Sequence, residues 1–155
     1  MNNNIVIVSY EPQYVSSFKD LNVAWLEKYF VVEPYDAEVL SNLEKYILNK
    51  GGDIFFILEN GVPKGTVALM YNEYGELEFT KMAVEESSKG KGFGNLLMQH
   101  CIDKAKQMGS ENLILYSNTK LNPAISLYKK FGFEEIPVEK SEYERCNIKM
   151  IRKIK

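Results

Sequence analysis

The stretch VEESSKGKGFGNLLMQH, Val84 to His100, sets Gly90, Gly92 and Gly94 with Lys89 and Lys91 directly before an apolar pattern of helical spacing. A glycine loop entering a helix exposes several backbone N–H groups, and the helix dipole adds about half a positive charge at that end. With two lysines beside it, such a loop suits a phosphate or pyrophosphate. It is not a triphosphate loop, which needs GxxxxGK followed by Ser or Thr. A dinucleotide loop needs GxGxxG, and Asn95 stands where the third glycine belongs. Glu85 and Glu86 would repel a bound phosphate and are expected to point away. Loop composition alone leaves a solvated, flexible turn equally open.

The elements that must position this loop are legible from periodicity. Ile5–Ser9 is β-branched and strand-like. From about Tyr14 to Tyr29, Val15, Phe18, Leu21, Trp25, Leu26 and Tyr29 recur at helical spacing. Pro34 predicts an extended break, and Asp36 an N-cap for a second helix with Val39, Leu40, Leu43, Tyr46 and Ile47 inward. Three antiparallel strands are expected at Asp53–Glu59, Lys64–Tyr71 and Glu76–Val84, the first two joined at Asn60-Gly61. The glycine loop then feeds a helix from about Gly92 to Met108, with Phe93, Leu96, Leu97, Cys101, Ala105 and Met108 inward. NLILYS reads as a strand and NPAISLYKKF as a helix opened by Pro123. FEEI and RCNIKMI close the sheet, with Cys146, Ile148 and Met150 alternating against Arg145, Asn147 and Lys149. One mixed α+β domain over residues 1–155 is the expectation.

Composition narrows the function. The 155 residues are 45% hydrophobic and 12% aromatic, enough for one real core. A net charge of −2 gives no general attraction to nucleic acid or to an anionic membrane. No apolar run approaches the roughly 20 residues of a membrane span, and MNNN does not open like a secretion signal. His100 is the only histidine, and Cys101 and Cys146 lack CxxC spacing, which argues against a metal site and a Ser-His-Asp triad. A reduced, cytoplasmic setting fits these residues; His100 reads as structural or surface-exposed, and Cys101 as core.

KMAVEESSKGKGFGNLLMQ followed by LNPAISLYKKFGF resembles the GNAT superfamily of acetyl-coenzyme A-dependent N-acetyltransferases. That family's loop runs Gln or Arg, two residues, Gly, one residue, Gly or Ala; here it reads Lys89-Gly90-Lys91-Gly92-Phe93-Gly94. Its second element, A-x-x-L-Y-x-x-x-G-F, is met by Ala124, Leu127, Tyr128, Gly132 and Phe133. Lys89 departs from the usual Gln or Arg. Leu121 stands where an asparagine is frequent, leaving Asn118 and Asn122 as alternatives for its contact. The resemblance implies a central, mostly antiparallel sheet with a splayed parallel strand pair, flanked by about four helices. It implies acetyl-CoA with its pantetheine arm along Met82, Ala83 and Val84. Its diphosphate would sit on N–H groups from Lys89 to Asn95.

Direct acetyl transfer to an amine requires a neutral nucleophile. A primary amine with a pKa near roughly 10.4 is almost wholly protonated at neutral pH, so its proton must be taken. Glu78 is the candidate base, alone or through water, although it would serve equally as a solvent-facing strand residue. The resemblance offers the backbone N–H of Met82 to the developing oxyanion and Tyr128 as the acid at the departing sulfur. A covalent acetyl-cysteine route is not expected. Relatives of this kind line the acceptor cleft with the first helical region, which makes Trp25, Tyr29, Glu33 and Tyr35 acceptor-site candidates. The acceptor would be a small-molecule amine or a protein amino group, and the assembly a monomer or homodimer. The rival reading is a domain that senses an acyl-CoA without turnover.

Overall fold

The computed structural model describes residues 4–138 and 143–154; the first three residues of MNNN lie outside that range. Seven strands among the described residues form one sheet: β1 (Ile5–Ser9), β2 (Asp53–Glu59), β3 (Val62–Tyr71), β4 (Leu77–Val84), β5 (Asn112–Ser117), β6 (Glu134–Ile136) and β7 (Ile148–Lys153). Their spatial order is β1-β2-β3-β4-β5-β7-β6. Every neighbouring pair is antiparallel except β4 and β5, and that parallel ladder holds at a single register pair, Glu78 opposite Ile114. Beyond it the two strands separate.

Five α-helices among the described residues cover the sheet: α1 (Val15–Tyr29), α2 (Pro34–Ser41), α3 (Leu43–Tyr46), α4 (Phe93–Gln107) and α5 (Asn122–Lys130). One more than expected arises at Asn42, whose side-chain amide donates to the Glu38 carbonyl at 2.9 Å and whose own backbone leaves the helical region. Short polar side chains compete with the helix ladder in this way. Asp36 is not the N-cap. Glu33 is, in extended geometry, with Pro34 in the first turn and Asp36 at the third position, closing a reciprocal capping box. Pro34 thus opens the helix, and the extended break expected of it falls just before, at Glu33.

The sheet is buried on both faces. Alternation along β2 sends Phe55 and Ile57 to the layer of α4 and α5, and Ile54, Phe56 and Leu58 to the layer of α1, α2 and α3. Phe18 and Leu26 fix α1 there, each burial worth roughly 2 kcal/mol. On α4, Phe93, Leu97, Cys101 and Ala105 are buried, whereas Leu96, expected inward, is 45% exposed on the outer edge. The β2–β3 hairpin turns on Asn60 and Gly61, both at positive φ, the two-residue geometry that matches strand twist. Cys146 precedes β7 rather than joining its alternation. No helix among the described residues is long and apolar enough to cross a membrane.

Candidate active site

β4 does not alternate cleanly. Thr80 pairs with Ala68 and Ala83 with Thr66, so Lys81 and Met82 together oppose Val67. Lys81 takes up this bulge with φ +58. A bulge of one residue resets which side chains face which layer. Leu77, Phe79, Met82 and Val84 consequently pack in the α4–α5 core, while Lys81 reaches the opposite layer and ion-pairs with Asp36 at 2.8 Å.

The gap between β4 and β5 is a cavity of about 120 Å³. Glu78, Met82, Ser117, Asn118 and Tyr128 line it, with Trp25 and Phe30 from the end of α1 covering its other side. Glu78 is 4% exposed. Burial raises its carboxyl to about 7, against the opposing pull of Lys81 and a hydrogen bond with Thr80. Tyr128 enters from α5, wedged edge-on against Phe79 and Phe133 at ring separations of 6.2 Å. Burial pushes its phenol up to about 12, with a Ser117 hydrogen bond opposing. Cys146 also faces the gap, and burial raises its thiol to about 11; Cys101, fully buried elsewhere, is raised as well. Neither thiol offers a thiolate nucleophile at neutral pH.

The glycine loop lies beyond the end of β4. Gly90 and Gly92 have φ of +86 and +80, a backbone only glycine adopts without strain, and a Cβ at either would meet nothing within 4 Å. Gly92 caps α4 without a side-chain bond, so the first N–H groups from Phe93 onward point out of the helix end. Gly94 sits closer, its missing Cβ 3.5 Å from Leu127. Glu85 is paired with Lys64 at 3.2 Å, and Glu86 with Lys28 and Lys89. The loop lysines are also engaged: Lys91 meets Glu59 at 3.0 Å, and Lys89 donates to the Tyr29 hydroxyl. Asn95 accepts from Lys130 at 2.8 Å. An open loop of glycine backbone at a helix N-terminus fits a diphosphate, and the splayed strands behind it fit an extended arm.

The remaining sequence candidates separate. Ala83 is buried in the ladder with Thr66, and Val84 packs near Gly65. Asn118 lines the strand gap but spends its amide on the Arg145 carbonyl at 2.6 Å and its oxygen on the Lys120 N–H; Asn122 is exposed at the start of α5. The four acceptor candidates divide, although the Trp25 and Tyr29 rings touch at 5.3 Å. Trp25 lines the strand gap, Tyr29 meets the glycine loop, Glu33 binds Arg145 at 3.1 Å, and Tyr35 lies in a second cavity.

Sequence reading missed the charged residues behind Glu78. Arg145 donates to both Asp36 oxygens at 2.7 and 3.0 Å, and Lys81 bridges Asp36 and the Tyr143 hydroxyl at 2.8 and 2.9 Å. Although full burial opposes it, these cations hold Asp36 below the usual carboxylate range. Strict alternation would have put Lys81 beside Phe79, so no periodic signal marks this cluster.

The sequence matches the Acetyltransferase (GNAT) family over residues 17–133. It is 33% identical over 103 residues to an uncharacterized N-acetyltransferase of Methanocaldococcus jannaschii, a match covering 62% of this chain and 46% of that protein, less than half of the relative's length. Among solved structures, a GNAT-family acetyltransferase of Staphylococcus aureus Mu50 superposes with a TM-score of 0.87 at 21% identity, over 98% of this chain and 100% of the other. A putative acetyltransferase of Salmonella typhimurium, solved with its cofactor acetyl-CoA, superposes at 0.76 and 18% identity, over 98% and 95%. The chain belongs to the GNAT family of acetyltransferases.

Proposed function

We propose that this chain moves an acetyl group from acetyl-CoA directly to a primary amine, with both molecules bound at once. The observation that carries this reading is Glu78, a buried carboxyl near neutrality placed in the only parallel gap of the described sheet, facing the same cavity as Tyr128. Acetyl-CoA supplies an acyl group activated as a thioester. The glycine loop would hold its diphosphate by backbone N–H groups of the helix end from Phe93 to Asn95, since those of Lys89 and Lys91 already donate to Glu86 and Ser88, and Met82, Ala83 and Val84 its pantetheine arm.

Glu78 accepts the proton of the incoming amine. Moving a proton from an ammonium of pKa roughly 10.4 to a carboxylate of ordinary pKa is uphill by about 8 kcal/mol; raising the carboxyl to about 7 reduces this to about 5 kcal/mol. The bulge after Thr80 re-aims the backbone at Met82, whose N–H is the donor for the developing oxyanion. Losing one such donor raises a barrier by about 3 kcal/mol. Tyr128 remains a phenol. With a pKa about 12, full transfer of its proton to a thiol-type group of pKa roughly 8.5 is uphill by about 5 kcal/mol, so its part is a hydrogen bond to the departing sulfur. The two protonated cysteines leave the transfer without a covalent acetyl-enzyme step.

The test is thiol release from acetyl-CoA in the presence of a panel of primary amines. Amine-dependent release that disappears in Glu78→Gln, with acetyl-CoA binding retained, supports the reading. Tight acetyl-CoA binding with no amine-dependent release across the panel favours a sensing domain and overturns it.

A further inference from the structure

Glu78, Tyr116 and Tyr143 line two cavities at once: the strand gap, and a second chamber of about 200 Å³. The far walls of that chamber are Tyr35 and Tyr46 from α2 and α3, with Tyr71 and Tyr74 from the end of β3 and its turn. Six of the chain's ten tyrosines therefore converge on one hollow, a concentration that composition does not explain. We propose that this tyrosine chamber is the acceptor subsite and takes a primary monoamine carried on a flat aromatic body, its nitrogen directed to Glu78.

The inference rests on the acetyl-transfer reading and adds the substrate class to it. The walls are set before any ligand arrives: Tyr35 stands edge-on to Tyr46 at 6.1 Å and to Tyr143 at 5.3 Å. Aromatic rings prefer such edge and offset arrangements, and a further ring entering the cluster gains contacts of the same kind. The Asn72 side-chain oxygen accepts from the N–H groups of Tyr74 and Glu76, both at 2.9 Å, and holds the turn that presents Tyr74.

Ion pairs set the charge around the chamber. The ring faces already carry the protein's own cations: Lys45 and Lys50 over Tyr46 at 5.2 and 5.7 Å, and Lys149 over Tyr116 at 5.4 Å. Lys81 and Arg145 lie over Tyr143 at 4.4 and 4.5 Å. Lys149 is paired with Glu76, and Lys81 and Arg145 with Asp36, so these cations are held on the rings by the protein's own carboxylates. A single amine needs only Glu78 as its partner and leaves an uncharged ring among the tyrosines.

The experiment compares 2-phenylethylamine, n-butylamine and butane-1,4-diamine as acceptors, by KM in thiol release and by saturation-transfer NMR of each amine on the protein. The first should show a KM about tenfold below the other two, as an added buried ring of this kind allows. Tyr74→Ala and Tyr46→Ala, on a turn and a short surface helix, should raise its KM about fivefold or more and leave the acetyl-CoA Kd unchanged. The KM of n-butylamine, which has no ring to lose contacts, should rise by less than that of 2-phenylethylamine. Equal KM values, preference for the diamine, or indifference to both substitutions would overturn the proposal while acetyl transfer stands. NMR contact to 2-phenylethylamine that Tyr74→Ala weakens, without turnover, would support the chamber and remove the transfer reading instead.

Discussion

Glu78 and Tyr128 face one cavity from opposite sides of the β4–β5 gap, and burial raises both, the carboxyl to about 7 and the phenol to about 12. Between those values the pair holds one base and one hydrogen-bond donor. The rate with a fixed amine should therefore rise about tenfold per pH unit below pH 7 and level off above it, because Glu78 must lose its proton to act. Glu78→Gln should remove this limb and lower kcat by about 100-fold or more, read from pH profiles of thiol release.

The same carboxyl burdens the fold at high pH. Its folded pKa of about 7 exceeds its unfolded value of 4.5, so the folded state holds the proton more tightly between them. Stability from this group is full below the unfolded value and falls as pH rises toward the folded one. Glu78→Gln should thus be more stable than the natural protein at pH 8, by up to about 3 kcal/mol, and nearly equal at pH 4. Urea unfolding at the two pH values measures the difference.

Tyr128→Phe removes the hydroxyl and keeps the ring that packs on Phe79 and Phe133. Turnover should fall at least about tenfold with the acetyl-CoA Kd little changed, since a hydrogen bond made only as charge develops acts on kcat. Unchanged turnover would take Tyr128 out of the mechanism.

Asp36 is 0% exposed and shared by Lys81 and Arg145. Asp36→Asn leaves those cations without their carboxylate and should destabilise the protein by about 3–5 kcal/mol. Replacing Lys81 by Met in the same background should recover part of that loss. Denaturant midpoints of the two variants test both statements.

Much of the architecture was legible because local signals agreed with the tertiary result. IFFIL is a continuous apolar run because β2 is buried on both faces, and Asn60-Gly61 marks its hairpin. The Ala124–Phe133 string contains Ala124 and Tyr128, which line the β4–β5 gap. What stayed hidden depends on position rather than pattern. A single bulge at Lys81 moves that lysine to the face of Asp36, and period-two reasoning cannot see it. Tyr29 and Trp25 share a helix face, yet one meets the glycine loop and the other the strand gap. The tyrosine chamber draws on residues from 35 to 143, which only the folded sheet brings together.

The central claim is that the open glycine loop and the strand gap hold acetyl-CoA. Calorimetric titration of the natural protein and of Gly92→Val tests it directly, because the Val side chain meets no neighbour but adopts φ near +80 only with strain and fills the open face of the loop. The account predicts one-to-one, micromolar binding to the natural protein and at least about tenfold weaker binding to the variant at equal helical content. No heat of binding from folded natural protein, or equal affinity in both, would contradict it.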